Sequence, residues 1–306
     1  MKDNQKISTE WYSEIINEGL KQLVKVDDEI FSCKTKFQSV LIQRTTSFGI
    51  RLLLDNKTQS AELDEFIYHE SLVHPSVVFH SNPKSVFVAG GGEGATIREV
   101  LRYENIENVT MVDIDEEAVE VCQKYLPNHS AGAFNDDRLN LHFSDALIYL
   151  DKNLIRYDII IVDLPDPLRD GPALMLYTKE FYQLLKNRLN PGGMIVTQAG
   201  PTGPILSGQY FNRIAKTIQN VFPNIFTYES FVPSFGSTWG FVIGSLDSKN
   251  LSISEINSKL LERKVVDLKY YDGITHQGMF SLSQQMRNVL LEDVEIITSQ
   301  DPLIVK

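Results

Sequence analysis

The sequence predicts an α/β fold: a doubly wound sheet covered by helices, with a small antiparallel β domain at its N-terminus. Three observations support this. Short β-type runs at 23–26, 38–43 and 51–54 are punctuated by Gly49 and by Asp55-Asn56, with no helix-length periodic segment among them. From about residue 64, apolar runs of strand length alternate with helix-period segments, the pattern of a sheet buried on both faces. The chain has 306 residues, enough for about two domains. Residues 1–63 are therefore assigned to the β domain and 64–306 to the α/β domain.

The elements follow in order. A helix is expected over 64–79. Strands are expected over 85–89, 109–112, 139–143, 157–162 and 194–197, with helices over 96–103, 116–125, 179–189 and 209–221. Two late strands, 225–228 and 240–244, have no clear helix between them and predict an antiparallel edge. The tail from 251 shows one helix, 283–291, and the chain has no internal repeat.

Composition narrows the function classes. Net charge is −11 and the pI about 5.1. That balance disfavours a nucleic-acid partner and suits a cationic small molecule, although acidic soluble proteins are common. No apolar run approaches the length of a membrane span, and the first twelve residues lack the apolar centre of a secretory signal. Cys33 and Cys122 have no metal-ligand spacing, so neither a metal site nor a disulfide framework is expected, and a reducing, cytoplasmic setting is.

The strongest local signal is the strand Val86-Phe87-Val88-Ala89 running into Gly90-Gly91-Gly92-Glu93-Gly94 and then a helix. Such a turn lets a ligand approach the backbone, though it can also simply pack a helix on a strand. Asp113 ends the next strand, twenty residues after Glu93, where an acid can accept from ribose hydroxyls. Glu93 would repel phosphates, and the phosphate-loop Lys-Ser/Thr is absent. An uncharged or cationic nucleoside fits better, unless Glu93 is only a solvated turn acid.

Asp145 and Asp163 each follow a strand, so Glu93, Asp113, Asp145 and Asp163 share the carboxyl edge of the sheet, where ligands of open α/β folds bind. Any one alone is more commonly a helix N-cap. Four together, beside Pro165 and Pro167, are not readily explained as caps. Tyr68, Phe235 and Trp239 offer faces that can hold a cationic chain; alone, Trp239 reads as core and His69 as a structural histidine.

With these residues in view, the chain resembles the spermidine synthase family of polyamine aminopropyltransferases, from about Trp11 to Leu291. The matching stretches are DEFIYHE at 64–70, GGGEG at 90–94, VDID at 112–115, SDA at 144–146, DLPDP at 163–167 and YYDGITHQGMF at 270–280. The resemblance implies a Rossmann-like, methyltransferase-type catalytic domain after an N-terminal β domain, usually in a homodimer or homotetramer. It implies no cofactor beyond the co-substrate, decarboxylated S-adenosylmethionine, and a polyamine as the second small molecule. Residue by residue, it implies that Gln38, Glu93, Asp113, Asp145, Ala146 and Pro172 serve the donor. Tyr68, His69, Asp166, Gln198 and Phe235 serve the acceptor, and Asp163 is the active acid.

Some positions depart from the family pattern. Ala146 replaces a common glycine, Glu93 a common aspartate, and Phe235 a tyrosine. The loop after Asp166 is two residues longer than the usual D-x-x-D-P-x-G-P. DLPDPLRDGP, LYTKEFY, TQAGP and VPSFGSTWG resemble the thermospermine synthase branch, which implies spermidine as acceptor and thermospermine or spermine as product. Putrescine is the alternative acceptor. The implied chemistry is direct displacement at the sulfonium-bound carbon by a neutral amine, with Asp163 acting as base or as electrostatic stabiliser. A methyltransferase and a non-catalytic polyamine sensor are rival readings.

Overall fold

Twelve strands and ten helices occupy residues 10–169, 171–204, 210–248 and 250–304, the part of the chain that the computed structural model describes. Residues 1–9 of the assigned β domain, Asp170 of the extended loop and Gln209 at the expected helix start lie outside those residues. The strands are β1 (Glu10–Asn17), β2 (Leu20–Lys34), β3 (Ser39–Thr45), β4 (Gly49–Leu54), β5 (Lys57–Ala61), β6 (Ser85–Gly90), β7 (Asn108–Asp113), β8 (Leu139–Phe143), β9 (Tyr157–Asp163), β10 (Leu189–Pro201), β11 (Asn224–Val232) and β12 (Ser237–Ser245). The helices are α1 (Glu65–Phe79), α2 (Ala95–Leu101), α3 (Glu116–Tyr125), α4 (Pro127–Ser130), α5 (Ala146–Lys152), α6 (Lys179–Asn187), α7 (Phe211–Gln219), α8 (Ile253–Glu262), α9 (Gly273–Phe280) and α10 (Gln284–Val289).

The N-terminal sheet is an antiparallel meander in the order β1-β2-β3-β4-β5. It has five strands, where the pattern marked three. β2 runs for 15 residues, but Asp27-Asp28 breaks its alternation. Register shifts flanking those acids absorb the break, since a bulge lets a strand continue past residues that do not fit the pleat. Val40, Ile42 and Leu52 pack on Ala118, Val121 and Cys122 of α3 and fasten the sheet to the larger domain.

The larger sheet has the order β11-β12-β10-β9-β6-β7-β8. Strands β6 to β10 pair in parallel, and β12 runs antiparallel between β10 and β11, as the two late strands predicted. Both faces are buried. Phe87 and Ala89 of β6 join one core with Ile160, Val162 and Phe181, while Val86 and Val88 join the other with Ile159, Ile161 and Val196. This double burial is why the strands read as unbroken apolar runs.

Two departures have local causes. α1 contains Pro75, which removes one helical hydrogen bond; the Tyr228 hydroxyl donates to the orphaned Ser71 carbonyl at 2.9 Å. The tail holds three helices rather than one. α8 carries a capping box, Ser252 with Glu255. The approach to α9 is held by buried Glu70, whose carboxylate accepts from the backbone N–H of Lys269, Tyr270 and Tyr271 at 2.8–2.9 Å. That anchor lies about 200 residues away in sequence, so no local pattern reveals it. The predicted helices at 96–103, 179–189 and 283–291 are each trimmed at one or both ends.

Candidate active site

The strand order reverses direction between β6 and β9. At such a switch point the loops diverge and open a crevice. The Gly90–Gly94 turn leaves β6 on one side, and Asp163 ends β9 on the other. Gly90 has φ +80°, and a side chain there would overlap the Asp163 carbonyl. The Gly91 N–H donates to that carbonyl at 2.9 Å. The turn and the acid are therefore built as one unit.

A cavity of about 720 Å³ opens above this point, within the size range of small-molecule sites. Among the described residues, six carboxylates line it: Glu14, Glu93, Asp113, Asp145, Asp163 and Asp166; Lys21 and Lys57 are its lining cations. Of the expected site residues, Gln38, Tyr68, Ala146, Pro172, Gln198 and Phe235 also line it. His69 does not. It is fully buried behind Glu93, with Nε2 3.1 Å from Glu93 Oε1 and Nδ1 2.9 Å from Glu65 Oε2.

Asp163 is held by two hydroxyls. Tyr68 donates to its Oδ1 at 2.8 Å and Thr96 to its Oδ2 at 2.5 Å. Burial, reinforced by the Glu93 charge, raises its carboxyl above the ordinary value, against the pull of His69 and the two hydroxyls. Burial likewise raises Asp113 and Asp166 to about 6 each; Lys57 and Gln198 oppose the shift at Asp166, and Glu14 adds to it. A crevice whose empty state holds carboxyls above their usual range is suited to cations, whose arrival restores the ionised form.

The residues expected to serve the donor divide between lining and bracing. Asp145 caps α5, accepting from the Leu147 and Ile148 N–H at 2.8 and 3.2 Å, and lines the cavity as well. Asp113 accepts from the Asp115 N–H at 2.9 Å. Asp115 in turn accepts from Gln38 Nε2 at 2.9 Å and Thr35 Oγ1 at 2.6 Å. The segment joining β2 and β3 of the N-terminal sheet thus reaches the strand-end acid Asp113 through Asp115, a link that the sequence pattern did not expose.

On the opposite side, Gln198 uses its whole amide on protein partners. It donates to the Tyr177 hydroxyl at 2.6 Å and the Leu164 carbonyl at 3.1 Å, and accepts from Trp239 Nε1 at 3.0 Å and the Gly200 N–H at 2.8 Å. It sets the wall rather than presenting a free amide. Phe235 meets Tyr68 and Trp239 edge-on at 5.9 and 4.8 Å, so Trp239, read from sequence as core, belongs to the cavity wall. Two other site residues were missed. Glu14 lies in β1, where no strand was read. Thr96 stands two residues past the glycine cluster, a spacing that carries no signal without the fold.

Among the described residues, no group of three or more His, Cys, Asp or Glu side chains could hold a metal ion. A family model described as the spermine/spermidine synthase domain matches residues 65–254, and one described as the spermidine synthase tetramerisation domain matches residues 10–62. The chain is 42% identical over 303 residues to polyamine aminopropyltransferase 2 of Hyperthermus butylicus, covering 98% of this chain and 99% of that protein. It is 39% identical over 292 residues to a thermospermine synthase of Arabidopsis thaliana, covering 95% and 86% respectively. A solved spermidine synthase in complex with the transition-state analogue AdoDATO superposes with a TM-score of 0.85 at 28% identity, over 94% of this chain and 97% of that one. The chain belongs to the spermine/spermidine synthase family and is a polyamine aminopropyltransferase.

Proposed function

We propose that this enzyme transfers the aminopropyl group of decarboxylated S-adenosylmethionine to spermidine, giving thermospermine and methylthioadenosine. The observation that carries the acceptor assignment is that Glu14 of the N-terminal sheet lines the same cavity as Asp163 and Asp166, close enough to Asp166 to add to the rise of its carboxyl. Glu14 is buried and held by Thr58, whose N–H and hydroxyl donate to its Oε2 at 3.2 and 2.6 Å. A triamine presents one more cation than putrescine, and Glu14 supplies a further carboxylate for it besides Asp163 and Asp166. The likeness to a thermospermine synthase and the extended loop after Asp166 support the same reading.

In this reading Glu93, Asp113, Asp145, Ala146, Gln38 and Pro172 form the donor half. Tyr68, Asp166, Phe235 and the wall set by Gln198 form the acceptor half, and Asp163 lies where the two meet. Glu93 faces the donor arm, where intact S-adenosylmethionine would place a carboxylate and the decarboxylated form places only an ammonium. The acceptor amine loses its proton to Asp163 and attacks the carbon next to sulfur; the carbon–sulfur bond breaks and methylthioadenosine leaves.

The test compares putrescine and spermidine as acceptors, with products separated so that spermine and thermospermine are resolved. Spermidine is expected to give the higher kcat/KM, with thermospermine as product. Glu14→Gln is expected to raise KM for spermidine about tenfold and to change that for putrescine by less than about twofold. A preference for putrescine, or equal effects of Glu14→Gln on both amines, contradicts the assignment.

We also propose a homodimer or homotetramer assembled through the N-terminal sheet. Trp11, Ile15 and Leu23 share one face of the β1–β2 ladder and are 62%, 56% and 59% exposed, an apolar patch that association would cover. Sedimentation equilibrium is expected to give twice or four times the chain mass, and a stable monomer refutes it.

A further inference from the structure

We propose that the buried chain Arg98–Glu65–His69–Glu93 is a charge relay that holds Glu93 as the fixed anion of the donor site, so that Glu65 and Arg98 are positioning residues that touch neither substrate. The inference rests on the aminopropyltransfer reading for the identity of the ligand, not for the state of the relay.

The geometry is continuous across three elements. Arg98 of α2 forks onto Glu65 of α1, with Nη1 3.0 Å from Oε1 and Nη2 2.9 Å from Oε2. Its Nη1 also donates to the His129 carbonyl at 2.6 Å, and its Nε to Glu99 at 2.8 Å. Glu65 Oε2 and the Glu65 carbonyl both receive His69 Nδ1, at 2.9 and 2.7 Å. His69 Nε2 meets Glu93 Oε1 at 3.1 Å. Both ring nitrogens therefore face acceptors, and only the imidazolium can donate at both. The charges alternate from cation to anion twice, and of the four residues only Glu93 lines the cavity.

Every group facing the ring agrees with this state. Burial opposes charge on His69, but the hydrogen bonds and charges of Glu65 and Glu93 prevail and raise it to about 10. Burial also opposes the ionisation of Glu65, yet His69 and Arg98 bring it down to about 2. Glu93 is lowered despite burial, with His69 the main cause. The remaining neighbours are the Tyr68 ring, edge-on at 5.0 Å, Asp163, whose carboxyl His69 pulls down, and His129, whose own burial lowers it against the pull of Glu93 and Glu65. An isolated carboxylate at the position of Glu93 would tend to protonate beside Asp163 and Asp113. The relay keeps it ionised before any ligand arrives, as a preorganised site requires.

The test uses the whole protein with 15N-labelled histidine. Both His69 ring nitrogens are expected to keep imidazolium shifts from about pH 6 to about pH 9, and the ring is expected to titrate within that range in Glu65→Gln. A neutral His69 ring at about pH 7 in the unaltered protein overturns the proposal, and that spectrum decides it even if Glu65→Gln does not fold. Glu65→Gln is further expected to weaken binding of decarboxylated S-adenosylmethionine about tenfold while leaving methylthioadenosine, which lacks the aminopropyl ammonium, unchanged. Equal weakening of both ligands marks a purely structural role and also overturns it. Arg98→Lys is expected to lose less than Arg98→Met, because it keeps the charge without the fork. Failure of the unaltered protein to bind the decarboxylated donor while it binds methylthioadenosine would sink the aminopropyltransfer reading and leave the histidine spectrum to judge the relay.

Discussion

Asp163→Asn is expected to lower kcat by about a thousandfold while leaving the donor Kd within about threefold. Asparagine can still accept at Oδ1 from one of the two hydroxyls that hold Asp163, Tyr68 at 2.8 Å or Thr96 at 2.5 Å, and its amide N–H can donate to the other hydroxyl after that rotates, so the cavity keeps its shape. What it loses is the charge. An acceptor amine is protonated near neutral pH and cannot attack until the proton leaves. In the proposed reaction Asp163 takes that proton, a role favoured by burial and the nearby Glu93, which raise its carboxyl above the ordinary range. The sign of the pH effect follows. Below the raised value Asp163 is protonated and idle, and above it the group is ionised and active. The acidic limb of kcat/KM in the unaltered enzyme should therefore disappear in the asparagine variant. Near-normal turnover in Asp163→Asn would remove both the base and the electrostatic role.

Gly90→Ala is expected to cost about 3 kcal/mol of stability and most of the activity. The residue sits at φ +80°, which L side chains rarely adopt, and its new Cβ would overlap the Asp163 carbonyl. Relief requires β6 and β9 to separate at the switch point, which displaces the acid itself and the Gly91 hydrogen bond to it. Gly132→Ala is the control. Gly132 has φ +88° but no atom within 4 Å of the added carbon, so it suffers backbone strain alone, about 1–2 kcal/mol. Urea unfolding distinguishes the two, and equal losses would show that the close approach to Asp163 is unimportant.

The parallel core was legible because burial on both faces leaves a sequence trace: Val86-Phe87-Val88-Ala89 and Ile159-Ile160-Ile161-Val162 are apolar at every position. The antiparallel edge was legible too, since β11 and β12 follow each other with only a single 3-10 turn, Pro233–Phe235, between them. The N-terminal sheet was less so. β1 and the start of β2 expose Trp11, Ile15 and Leu23, so their alternation does not match one buried face. The acids at the carboxyl edge could be placed by strand order alone. Their partners could not, because Gln38 with Asp115, Asp64 with the Ser234 N–H and Glu70 with the 269–271 backbone span 77 to 201 residues. His69 shows the limit clearly. A family motif places it at the site, but only the fold shows that Glu65 and Glu93 occupy both its nitrogens.

In the proposed mechanism donor and acceptor react directly across Asp163, with no enzyme-bound aminopropyl group between them. Rapid-quench mixing of enzyme with decarboxylated S-adenosylmethionine, first alone and then with spermidine, tests it most directly. Direct transfer gives no methylthioadenosine without the amine, and one methylthioadenosine per tetraamine with it. A stoichiometric burst of methylthioadenosine from enzyme and donor alone would mean that a carboxylate had been alkylated, and would contradict the assignment of Asp163 as base or stabiliser.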